Sequence, residues 1–331
     1  MENNFVNQYV FNDLDPLREK REVRQRSMFI GLAMLITLAA QVFWSLAYFN
    51  LMALCGIDRA AAVEIAQRPI VNQLINQILS ATVFTLPFLV VTSGCQLKLG
   101  EIASYKKPEK EFLLPIIFIS ISFFAFANMA SSVVINLFAS NGIEVTGGTM
   151  PETTGIFGFV VTFIGTAIVA PLAEEFAMRG VVLGALRKYG DGFAIIVSAL
   201  LFGLMHGNFM QIPFAFVVGL ALGFAVIKTG SVWTGVLIHF INNASAVILE
   251  TVSRGMPQTA KALINTGYFC LCLGCMFVGI LLLKGDTKKL CELSSGEPEQ
   301  KPRRIAGYFF SGFLMIAYLV LIALTAFRTL E

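Results

Sequence analysis

Six residues in the middle of the chain have the types and spacings that acid–base chemistry calls for. Glu174, Glu175 and Arg179 lie close together, His206 follows, and His239 comes next with Asn243 four positions on. The two histidines are the only ones in 331 residues. One chemistry that would use such a set is hydrolysis, which needs a base to activate water, donors for a developing oxyanion and a proton for the leaving group. Glu175 and Arg179 are four apart, so they can pair on one helix face and fix its orientation. Glu174 has Met178 at the corresponding position, which leaves its carboxylate free to serve as the base, with His206 helping to hold the water. His239 and Asn243 point together and would face the developing oxyanion. Phe202 stands four before His206, where it can pack beside the imidazole. Pro171 precedes the acidic pair and loosens the helix backbone there.

The rival chemistry is a zinc hydrolase in which Glu174, His206 and His239 are ligands and a fourth position is left for water. Ligand accounting favours the metal-free reading. With Glu174 on Zn2+ no free carboxylate remains as base, and with Glu175 on it Arg179 loses its partner. The chain also lacks a His-Glu-x-x-His helix of the usual metalloprotease kind.

These groups must be positioned by membrane helices. Hydrophobic residues make up 56% of the chain and charged ones only 14%, against roughly 25% charged in soluble domains. Apolar runs at 28–55, 72–95, 112–138, 156–186, 192–208, 212–228, 231–250, 263–284 and 305–327 are read as nine transmembrane helices, since unpaired backbone groups are not tolerated in lipid. The expected fold is therefore all-α, a polytopic membrane helix bundle. Its parts are a basic cytoplasmic segment at 1–27, three transmembrane helices over 28–138, a catalytic core at 156–250, and two helices with a charged cytoplasmic loop over 251–331. Glu174, His206 and His239 fall at one middle depth in this arrangement, and ionisable groups at such depth are costly and usually functional.

Basic residues orient the bundle. With the N-terminus cytoplasmic, eighteen Lys and Arg fall in inner segments and five in outer ones, the bias expected of inner loops. The run after Arg26 reads as a signal anchor, and the protein as an integral protein of the cell membrane. The net charge of +3 has no basic stripe, so nucleic acid is not an expected partner. Cys270, Cys272 and Cys275 lie within one membrane run, where they pack rather than bind metal. The spacings Gly180/Gly184, Gly203/Gly207 and Gly219/Gly223 mark helices that approach closely. The stretch Ser-Ser-Gly-Glu-Pro-Glu-Gln in the loop 285–304 reads as flexible.

The residues also spell three motifs: Glu174-Glu-Phe-Ala-Met-Arg179 fits EExxxR, Phe202-Gly-Leu-Met-His206 fits FxxxH, and His239-Phe-Ile-Asn-Asn243 fits HxxxN. In this order the chain resembles the CPBP family of CAAX proteases and bacteriocin-processing enzymes, also called the Abi family, related to the type II CAAX prenyl endopeptidases. The resemblance covers about 156–250. It implies an intramembrane endopeptidase acting on a peptide or protein substrate, with or without a lipid attached, in contact with membrane lipid. Two other classes compete: a non-catalytic scaffold or bacteriocin self-immunity protein on the same fold, and a proton-coupled transporter. The transporter would need broken helices at matched positions of two halves, a symmetry absent from this sequence.

The charge bias makes a direct prediction. Reporter fusions at residues 145 and 295 should report outside and inside respectively. Reversed signals, or both positions on one side, would contradict the orientation.

Overall fold

The computed structural model describes residues 4–102, 104–146, 155–283, 285, 287–293 and 302–330. The stretch expected to be flexible, at 294–300, lies outside them. Among the described residues the chain is helical, with an isolated bridge between Val145 and Leu330 in place of any sheet. In chain order the helices are α1 (Asn4–Leu54), α2 (Arg59–Gln67), α3 (Pro69–Val83), α4 (Leu86–Gly94), α5 (Leu99–Ile102) and α6 (Leu113–Ala139). A long helical run follows as α7 (Gly155–Tyr189). Then come α8 (Asp191–Leu204), α9 (Ile212–Thr229), α10 (Val232–Ser253), α11 (Gln258–Leu282), α12 (Thr287–Cys291), α13 (Pro302–Phe310) and α14 (Phe313–Phe327).

The bundle is polytopic, but the count of nine crossings is not what the helices give. Seven described segments are long and apolar enough to cross: Leu17–Gln41 within α1, Pro69–Gly94 spanning α3 and α4, and α6, α7, α9, α10 and α11. The pair α13 and α14 adds an eighth if its 72° bend is taken within one span. The ninth expected crossing is α8, whose 14 residues rise only about 21 Å, short of a hydrocarbon core of about 30 Å. Its apolar run continues to 208, but the helix does not. Gly207 turns the chain at a φ of 65°, and the Asn208 side chain accepts from the Gln211 backbone N–H at 2.9 Å to restart it.

At the N-terminus, α1 runs unbroken from the basic segment into the apolar run expected from residue 28. Two charged groups there, Glu22 and Arg26, are met by protein. Arg26 is buried, donates to the Ala185 carbonyl and pairs with Glu22 at 2.8 Å, while Lys188 also pairs with Glu22. Helix α7 is irregular in a way that Pro171 announces. Two π-helical stretches, Ile164–Val169 and Phe176–Leu183, flank the α-helical Ala170–Glu175, with Pro171 in its first turn. Widened turns of this kind displace carbonyls from the regular ladder and are frequent at functional sites.

Contacts between connecting segments sort into two ends. At one end Gln25 meets Gly94, Arg26 meets Ala185, Ser104 and Lys106 meet 231–232, and Lys228 meets Glu292. At the other, Thr146 meets Thr329, and Phe209 touches Phe138 and Phe327. The first set joins segments expected on the inner side and the second segments expected on the outer side, the Phe209 turn included. Between the ends, α8 and α9 cross closely because glycines face the neighbour. A Cβ at Gly219 would stand 3.0 Å from Ala199 Cα, and one at Gly203 would stand 2.9 Å from the Ile212 carbonyl. All six cysteines are free.

Candidate active site

The site is built on α7, α8 and α10 around one buried carboxylate. Glu175 and Arg179 are fully buried and pair at 2.9 Å, the contact their four-residue spacing allows. The same Glu175 oxygen, Oε1, also lies 3.0 Å from Nδ1 of His239, a link between α7 and α10 that spacing along one helix could not reveal. Arg179 donates to the Gly219 carbonyl on α9 at 3.2 Å and lies over the Phe202 ring at 4.4 Å. Phe202 in turn stands edge-on to both imidazoles, 5.3 Å from His206 and 5.6 Å from His239. One ring thus spaces a guanidinium and two histidines.

Each histidine is held through Nδ1. His206 Nδ1 is 2.9 Å from the Phe202 carbonyl, which can only accept, so this nitrogen carries hydrogen. His239 Nδ1 faces the Glu175 carboxylate in the same sense. In both rings Nε2 is the nitrogen left over. That of His239 lies 3.8 Å from Glu174 Oε2, too long for a hydrogen bond but close enough for charge to matter. Glu174, read from its own helix as a carboxylate without a partner, therefore has His239 as its neighbour.

Asn243 donates to the Thr166 carbonyl at 2.8 Å and accepts from Asn242 at 3.0 Å. Thr166 belongs to the first π-helical stretch of α7. A side-chain amide has two N–H groups, so one bond to Thr166 leaves Asn243 a second donor.

Glu174, His206, His239 and Asn243 share one cavity of about 370 Å³. Glu175 and Arg179 sit behind that wall. The six residues singled out in the sequence are thus brought to one place, in two layers. No three His, Cys, Asp or Glu side chains among the described residues are grouped to hold a metal ion. The cavity also has a polar wall that the sequence reading missed: Gln73, Asn76, Gln77 and Ser80 on α3. Their spacing of three and four residues within an apolar helix was the available signal.

The buried pair carries a stability prediction. Glu175→Gln leaves Arg179 buried without its counter-charge, a change of about 3–5 kcal/mol for pairs of this kind. The purified variant should melt well below the parent protein in the same detergent. An unchanged Tm would show that the pair does not hold the bundle together.

Comparison with known proteins points to the same segment of the chain. Residues 156–245 match the family model described as type II CAAX prenyl endopeptidase Rce1-like. The "Membrane-embedded CAAX protease MroQ" of Staphylococcus aureus (strain USA300) is 26% identical over 213 residues, which cover 61% of this chain and 81% of that protein. The "Putative membrane peptidase YdiL" of Bacillus subtilis (strain 168) is 31% identical over 111 residues, 32% of this chain and 46% of that protein. The chain thus spans most of the first relative's length and about half of the second's. No solved structure matches it. Residues 156–245 are accordingly similar to the Rce1-like CAAX protease domain, and the matches support a peptidase built into a bundle of helices long and apolar enough to cross a membrane.

Proposed function

We propose that this chain is an intramembrane endopeptidase in which Glu174 activates the hydrolytic water. One observation carries the reading: Glu174, His206, His239 and Asn243 converge on a single cavity within a bundle of membrane helices. Water held between Glu174 and His206 Nε2 attacks the substrate carbonyl carbon and gives a proton to the Glu174 carboxylate. Asn243 donates to the oxyanion through its second N–H. His239 donates through Nε2 once its ring carries a proton on both nitrogens, with Glu175 holding Nδ1. As the tetrahedral species collapses, the C–N bond breaks and Glu174 returns the proton to the leaving amine. Glu175 and Arg179 position these groups from behind the cavity wall, and Phe202, part of that wall, spaces the two imidazoles.

The substrate is a peptide or protein reached from the membrane, with or without a lipid attached. The CAAX-protease relatives support this class, and a role in maturing a bacteriocin or similar peptide falls within it. The charge bias supports residence in the cell membrane with a cytoplasmic N-terminus. The same residues support catalysis without a metal, because Glu174 is the carboxylate that base catalysis requires.

The test uses protein purified without a histidine tag and a mixed pool of quenched fluorescent peptides rich in apolar residues. Glu174→Gln and His206→Ala should each reduce cleavage by at least about a hundredfold. The double variant should be no worse than the worse single one, because the two groups act as a unit. Retained cleavage in Glu174→Gln would remove the proposed base. Near-stoichiometric zinc, with activity lost on its removal and regained on its return, would reassign Glu174, His206 and His239 as ligands.

A further inference from the structure

The hydrolytic step draws on α7, α8 and α10 and makes no use of α3, which lies outside the segment matched to the family. Gln73, Asn76, Gln77 and Ser80 follow the i, i+3, i+4, i+7 pattern of one helix face, and all four line the catalytic cavity. They belong to a span long and apolar enough to cross a membrane. Amide side chains at that depth are costly unless hydrogen-bonded.

The partners within the protein satisfy them only in part. Gln77 Nε2 donates to the Val161 carbonyl at 2.7 Å. Its side chain lies across Gly165, where any Cβ would overlap the amide. Gln73 is buried, and its Nε2 lies 3.5 Å from Thr166 Oγ1. A primary amide offers two N–H groups and an acceptor oxygen with two lone pairs. Among the described residues, these contacts leave each glutamine one N–H and its oxygen for a visitor to the cavity. Both are anchored to α7, Gln77 at Val161 and Gln73 at Thr166, the residue whose carbonyl also holds Asn243.

Spacing identifies the visitor. Residues four apart on a helix are separated by about 6 Å along its axis. An extended peptide repeats its N–H and C=O on one side every two residues, about 6.6–6.8 Å. Two amides with this separation match consecutive main-chain positions of one strand, donating to a carbonyl and accepting from an N–H. We propose that α3 is the peptide-binding wall of this site, on which Gln73 and Gln77 hold the substrate main chain extended beside Glu174. The proposal rests on the peptidase reading above. It makes recognition a matter of backbone more than of side chains, because the amides read groups that every residue except proline shares.

The experiment uses the same fluorescent peptide pool and a second pool with its backbone nitrogens methylated. In the cleavage-competent protein, Gln73→Leu and Gln77→Leu should each raise KM about threefold to tenfold, the loss of one hydrogen bond, with kcat within about twofold. Gln73→Leu leaves the Gln77–Val161 bond in place, so it reports on binding even if Gln77→Leu fails to fold. Binding is then read by fluorescence anisotropy on the full-length Glu174→Gln protein. That protein should prefer the unmethylated pool by about tenfold, and adding Gln73→Leu with Gln77→Leu should abolish the preference. A purely structural role for these glutamines would weaken both pools alike. If wild type cleaves peptides while both leucine variants keep its KM, or if the preference survives in the triple variant, the α3 wall is wrong and the peptidase reading stands. If wild type cleaves nothing in the pool, the peptidase reading falls, and the binding arm still judges α3 separately.

Discussion

The Glu175 carboxylate is the point on which the site depends. It is fully buried, so its charge must be met by protein groups, and one oxygen meets both Arg179 and His239. Coulomb attraction is far stronger at such a position than in water, and an uncompensated charge correspondingly costly. The carboxylate therefore fixes more than its own rotamer. It sets the imidazole of His239 on α10. Through Arg179 it engages the Gly219 carbonyl on α9 and the face of Phe202 on α8. Gly235 makes room for the second oxygen, since a Cβ there would stand 2.7 Å from Glu175 Oε2. Four helices thus converge on one ion pair, and the groups that face the cavity are mounted on that frame.

The backbone of α7 contributes as much as its side chains. A regular helix would carry Thr166, Glu174 and Glu175 with every carbonyl committed to the ladder. Here π-helical stretches lie on both sides of the acidic pair, and the Thr166 carbonyl receives Asn243 from α10. The short α8 has a complementary effect. Because it ends at Leu204, His206 follows immediately in a turn inside the bundle, where Ser131 of α6 donates to the neighbouring Met210 carbonyl. A full-length crossing would have carried the polypeptide onward to the surface before it could turn.

Much of this was legible in the sequence. Lipid forces apolar runs into helices, so the all-α bundle follows from composition. The motif residues stood out because ionisable groups are rare among such runs, and the four-residue spacings of Glu175 with Arg179 and of Phe202 with His206 were met by the contacts observed. Three features were not legible, each for a physical reason. The bond from Glu175 to His239 joins residues far apart in sequence, and helical periodicity carries no information across that distance. The end of α8 is set by a glycine turn and an asparagine cap, which hydropathy does not register, so 192–208 read as a full crossing. The glutamine face of α3 did not stand out because its amides carry no charge, and only ionisable groups mark themselves within an apolar run by their type alone; its spacing was the one visible sign.

The central claim is that Glu175 holds His239 through Nδ1 and so turns Nε2 toward Glu174. The protein has only two histidines, so 15N labelling of histidine gives a spectrum with two rings, assignable by removing His206. The account predicts that both rings carry hydrogen on Nδ1. It further predicts that Glu175→Gln shifts the His239 resonances and leaves those of His206 nearly unmoved. A neutral His239 with its hydrogen on Nε2, or one indifferent to Glu175→Gln, would contradict the account.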